Sequence, residues 1–123
     1  MAVLSAFAYK YPKTTKMQDE PAITLETYNK KIANTHKAVL VYFSASWCAV
    51  CPKFKPVISE IEKEYRDKVE VLRIDTDRDI EVATELEINA LPLLILYKNG
   101  KKEWTNSGII PISDLRREID CYL

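Results

Sequence analysis

SASWCAVCPKF, residues 44–54, places Cys48 and Cys51 three positions apart, behind Trp47 and at the end of the apolar run AVLVYFS at 38–44. Such a pair can staple the chain, hold a metal, or exchange electrons with another protein's disulfide. Its position in the chain separates these readings. The run at 38–44 is apolar almost throughout, the pattern of a strand covered on both faces in the middle of a largely parallel sheet. Beyond the pair, Phe54, Val57, Ile58, Ile61 and Tyr65 recur at steps of three and four, which predicts a long amphipathic helix. Cys48 therefore falls where a buried strand ends and a helix begins. Its sulfur is expected to face the first-turn N–H groups and the positive end of the helix dipole, which favours thiolate.

A free cysteine with a pKa of about 8.5 is only about 3% ionised at pH 7, and lowering the pKa to about 7 ionises half of it. The nucleophilicity lost with basicity offsets much of that, leaving a gain of about threefold. Geometry contributes more. Residues i and i+3 on a helical turn share a face, so Cys51 can attack a mixed disulfide on Cys48 intramolecularly, and the same spacing permits a ring-closing bridge. A tetrahedral zinc site wants four ligands, and besides the pair the chain offers only Cys121 and His36, neither at ligand spacing. The strand-to-helix position disfavours an inert bridge.

Outward from this stretch the pattern alternates short apolar runs with helical periodicity, as α/β layering does. Residues 22–25 read as a short strand, and LETYNKKIAN sets Tyr28 and Ile32 on one helical face. Residues 69–75 read as a strand. DIEVATELEI puts Ile80, Ala83 and Leu86 on one face of a shorter helix. LPLLILYKNGKKEW reads as a hairpin, with an Asn99-Gly100 turn and a return strand ending near Trp104. Ser113 can cap a last helix whose stripe is Leu115, Ile119 and Tyr122. The expected order is β-α-β-α-β-α-β-β-α in one domain over 22–123, preceded by an extended arm at 1–21 that contains Pro12 and Pro21.

At 123 residues the chain can bury roughly two-thirds of its unfolded surface and needs no staple to fold. No stretch approaches the ~20 apolar residues that span a bilayer, so no membrane insertion is expected. Lysine plus arginine and aspartate plus glutamate both count 18, so nothing attracts a polyanion and nucleic acid is not an expected partner. Lys10, Lys13 and Lys16 read as a solvated tail. Three cysteines are too few for a secreted disulfide scaffold. The opening MAVLSAFA has no basic residue ahead of a short apolar stretch, which reads as a tail. A cytoplasmic protein is expected, or a periplasmic one if a signal was removed. His36 reads as a loop residue, Trp104 as a partly buried aromatic and Cys121 as a small residue packing the last helix.

From about residue 22 to 123 the chain resembles the thioredoxin family. The likeness is carried by VLVYFSASWCAVC, by Pro56 in the long helix, by LPLLILYKNGKKEW and by Gly108 ahead of the last helix. The resemblance implies a single-domain thioredoxin fold, with a central mixed, mostly parallel sheet flanked by helices. It implies a protein-disulfide reductase in which Cys48 attacks and Cys51 resolves, with Trp47 as a flat surface beside them. It also implies a cis Leu91-Pro92 bond that turns the Leu91 backbone toward the cysteines as an edge for substrate. Its partners would be disulfide-containing proteins and a separate electron-donor reductase, and the chain would act as a monomer. No cofactor is expected, for the only glycines are Gly100 and Gly108 and no glycine-rich nucleotide loop exists. The alternatives are a disulfide isomerase or oxidase, an extracytoplasmic relay protein, and a non-catalytic peptide-binding module.

The chain departs from the family at several points. Thioredoxins usually carry Gly-Pro between the cysteines, where this chain has Ala49-Val50, with Pro52 just after the pair. Thioredoxins often bury an aspartate under the pair, where this chain has Tyr42. A tyrosine, with a pKa near 10, is a poor base at neutral pH, so resolution is expected to rely on water or on another acid and to be slower. Leu91 and Leu93 flank the proline with a more apolar rim, which suits apolar peptide segments.

Overall fold

The computed structural model describes residues 21–34 and 36–123, so the expected arm, apart from Pro21, lies outside the described residues. In chain order the elements are α1 (Leu25–Ile32), β1 (Ala38–Ser44), α2 (Cys51–Glu64), β2 (Val69–Asp75), α3 (Ile80–Glu85), β3 (Leu93–Lys98), β4 (Lys101–Ser107) and α4 (Ile112–Cys121). The strands form one sheet in the order β2-β1-β3-β4. β1 and β2 run parallel, with Ala38 opposite Val69 and Ser44 opposite Asp75. β3 runs antiparallel to both β1 and β4.

The sheet is mixed, as expected, but among the described strands one pairing is parallel and two are antiparallel, which corrects the expectation of a mostly parallel sheet. The connections give the reason. The 14-residue helix α2 crosses over between β1 and β2 and lets them run the same way. The tight Asn99-Gly100 turn, with φ of 54° and 80°, forces β3 and β4 to run opposite ways. Burial on both faces does not require parallel neighbours. Every residue of β1 is buried because helices lie on each side of the sheet. Leu40 and Tyr42 pack with Phe54, Ile58 and Ile61 of α2 and with Leu115 and Ile119 of α4. Val39, Val41 and Phe43 point the other way, toward Tyr28 of α1 and Val82 of α3.

Three local expectations are corrected. Residues 22–25 form no strand. The Thr24 side chain accepts the Thr27 N–H and starts α1, while the Ile23 N–H goes to the Asp79 carboxylate (2.8 Å) rather than to a neighbouring strand. In α3 the buried residue is Val82, and Ile80 is 63% exposed. That helix has six residues, too few for periodicity to choose its face, and its start is set by Asp79. Asp79 is fully buried and also accepts the Asp75 N–H (3.0 Å) and the Arg78 guanidinium (2.6 and 2.7 Å). Finally, Ser113 lies inside α4, which begins after Pro111, whose carbonyl accepts the Leu115 N–H. No helix among the described residues is long and apolar enough to cross a membrane.

The core carries its own pH signature. The hydroxyls of Tyr28 and Tyr97 meet at 2.8 Å inside the sheet–helix layer, and burial raises the phenols of Tyr28, Tyr42 and Tyr97 above their ordinary value. Because the folded values are the higher ones, the unfolded chain releases these protons first as pH climbs. Their contribution to stability is complete below about pH 10 and is lost above it. The urea midpoint is expected to hold steady between pH 8 and 9 and to fall progressively toward pH 11. Equal midpoints at pH 9 and 11 would mean that the phenols ionise as readily in the fold as outside it.

Candidate active site

The site is assembled at the C-terminal end of β1. After Ser44 the chain turns, with the Cys48 N–H donating to the Ala45 carbonyl (3.2 Å), and Cys51 is the first residue of α2. Cys48 and Cys51 are joined in a disulfide, with Cα atoms 5.5 Å apart. The two are not equivalent. Cys48 lies in the loop ahead of the helix at 6% exposure, whereas Cys51 lies within the helix at 2%. Beside them Trp47 is 69% exposed and Val50 40%, an apolar surface flanking Cys48 and Cys51 in sequence.

The first turn of α2 differs from an ordinary helix start. Its N-cap is Val50, which has no side-chain acceptor, and no acidic residue occupies the turn. Pro52 lacks an N–H near the start of the helix. It falls in the first turn, where N–H groups have no helical partner in any case, so no helical bond is lost there. The loss occurs one turn later, at Pro56, which cannot donate to the Pro52 carbonyl.

Pro92 reaches this end of the sheet by register. Leu93, the first residue of β3, pairs with Phe43 near the end of β1, so the cis Leu91-Pro92 bond lies at the sheet end from which the cysteine loop departs. Pro92 is buried, Leu91 and Leu93 are half-buried, and the Pro92 carbonyl accepts the Gly108 N–H (2.8 Å). Gly108 takes a φ of 88°, which turns the chain so that Ile109, 53% exposed, follows at the same end.

Two residues here were not singled out from the sequence for the contacts they make. Asp77 accepts from the Ser46 hydroxyl (3.1 Å) and from the Trp47 indole N–H (3.3 Å), holding the exposed ring in place. The signal lay in register: with Ser44 opposite Asp75, two residues onward on each chain bring 46 and 77 together. Tyr42, noted only as a poor base, donates its hydroxyl to the Cys51 carbonyl (3.1 Å). Cys121, expected to pack, is exposed, because the buried stripe of α4 is Leu115 and Ile119 and position 121 faces outward.

A cysteine pair that can open to two thiols and close again passes two electrons each time, and a mixed α/β sheet carrying it at a helix mouth defines a thiol–disulfide oxidoreductase. The thioredoxin family model matches residues 20–121. The chain is 33% identical over 102 residues to Thioredoxin 1 of Synechococcus elongatus, covering 83% of this chain and 95% of that protein. It is 32% identical over 120 residues to the chloroplastic M-type thioredoxin of Chlamydomonas reinhardtii, covering 96% of this chain and 86% of that one. Against the chloroplastic Thioredoxin Y of Oryza sativa it is 33% identical over 100 residues, which is 81% of this chain and 60% of the rice protein. The chain belongs to the thioredoxin family and is a thioredoxin-type protein-disulfide reductase.

Proposed function

We propose that Cys48 is the attacking nucleophile and Cys51 the resolving thiol, with Trp47, Leu91 and Pro92 forming the surface along which a substrate segment lies. The observation that carries this assignment is position: Cys48 lies in the loop directly after the exposed Trp47, whereas Cys51 is the first residue of α2. In the reducing direction the Cys48 thiolate attacks a substrate sulfur and the substrate's other sulfur leaves as a thiol. Cys51 loses its proton and attacks Cys48, releasing the second substrate thiol and closing the 48–51 disulfide. The two electrons gained by the substrate are those lost by the cysteine pair. A separate donor protein then returns the pair to dithiol. The exposed Trp47, Val50 and Ile109 and the half-buried Leu91 favour apolar substrate segments. The chain acts as a monomer in a reducing compartment such as the cytoplasm, where the donor keeps the pair reduced.

Capture separates this role from that of a peptide-binding module whose cysteines stay bridged. A Cys51→Ser variant incubated with oxidised protein substrates is expected to accumulate adducts on Cys48 that dithiothreitol releases. A binder yields none, and absence of adducts would remove the nucleophile assignment.

A further inference from the structure

The first turn of α2 is held by the Lys53 N–H on the Val50 carbonyl (3.1 Å), with little else from its own helix. It has no side-chain N-cap, and Pro56 denies the Pro52 carbonyl its helical donor. Cys51 opens this turn. A ring in β1 reaches it from below: Tyr42 is 1% exposed, lies edge-on to Phe54 of α2 (5.9 Å, 73°) and pairs in register with Arg73 and Leu94. The ring is held among its neighbours, and its hydroxyl, with the Ser44 side chain beside it, donates to the Cys51 carbonyl, which can accept it alongside a helical donor.

We propose that Tyr42 is a positioning residue for the resolving step: its hydroxyl tethers Cys51 to β1 and replaces the hold that the first turn lacks. The proposal rests on the assignment of Cys51 as resolving thiol. Tyr42 donates its proton to a carbonyl, so it serves as an anchor and not as the acceptor of the Cys51 proton, which passes to water.

The aromatic disulfide 5,5′-dithiobis(2-nitrobenzoate) separates attack from resolution. The Cys48 thiolate displaces one thionitrobenzoate and becomes a mixed disulfide. Cys51 then loses its proton, attacks Cys48 and expels the second thionitrobenzoate, so two protein thiols are oxidised while one reagent disulfide is reduced. Absorbance at 412 nm follows both releases. In Tyr42→Phe the second release is expected to slow about fivefold to tenfold, the scale of one buried hydrogen bond, with the first within about twofold. A second release at the wild-type rate overturns the proposal, as does equal slowing of both. If Tyr42→Phe alone does not fold, it is made in Pro56→Ala, which restores a helical donor to the Pro52 carbonyl. Relative to Pro56→Ala, the second release is then expected to slow about threefold, and no slowing overturns the proposal. A wild-type protein that gives no second release contradicts the assignment of Cys51 itself, a separate failure.

Discussion

Cys48→Ser is expected to lower the reduction of insulin disulfides by dithiothreitol at least about a thousandfold, down to the uncatalysed background. The substitution exchanges one atom of nearly the same size, so the fold of the reduced protein is left in place. What disappears is the proposed nucleophile. A hydroxyl stays protonated at neutral pH and does not displace sulfur from a disulfide, whereas a thiol ionises and does. On the proposed assignment Cys51, buried at the start of α2, does not stand in for it. Cys121 is the other thiol available to solvent, at the end of α4. Residual turnover within about tenfold of wild type would place the attacking sulfur elsewhere, and a second loss on removing Cys121 would say where.

The second large effect concerns the fold that presents the site. Asp79→Ala removes a fully buried carboxylate that accepts two backbone N–H groups, from Ile23 and Asp75, and both arms of the Arg78 guanidinium. The side chain of Arg78 is itself only 7% exposed. Taking the bidentate carboxylate from a buried guanidinium and leaving two backbone N–H groups without their acceptor costs about 3–5 kcal/mol. A domain of ordinary stability has about 5–15 kcal/mol in all, so the melting temperature is expected to fall by about 10–20 °C. The loss would be felt at the site as well, since Asp75 precedes the turn that places Asp77 against Trp47. A loss of under about 1 kcal/mol would mean that the carboxylate's desolvation already cancels what its contacts contribute.

How legible the molecule was in its sequence depends on how local the deciding physics is. β1 and β2 occupy the residues that their apolar runs mark, 38–44 and 69–75, and the Asn99-Gly100 turn has the positive φ values that those residue types favour. The long helix buries Phe54, Ile58 and Ile61, as its spacing requires. What local pattern could not supply was pairing. AVLVYFS reads the same whether its neighbours run parallel or antiparallel, because helices on both faces demand apolar residues either way. At 22–25 a side-chain cap and a carboxylate 56 residues away took the backbone groups that a strand would have shared. At the site the cysteines stood out by their spacing, and Trp47 by the family resemblance. Asp77 and the Tyr42 anchor did not, because both act through contacts that exist only once β1 lies beside β2 and beneath α2.

The central claim is that Cys48 and Cys51 exchange two electrons in the reducing direction, and a redox titration tests it most directly. Equilibration against graded ratios of reduced and oxidised glutathione or dithiothreitol, read by thiol trapping and mass, is expected to give one two-electron transition. Its midpoint should lie near that of thioredoxins, at about −270 mV. A midpoint in the strongly oxidising range, at about −120 mV, would contradict the reductase direction, and a bridge that stays closed in excess dithiothreitol would contradict exchange altogether.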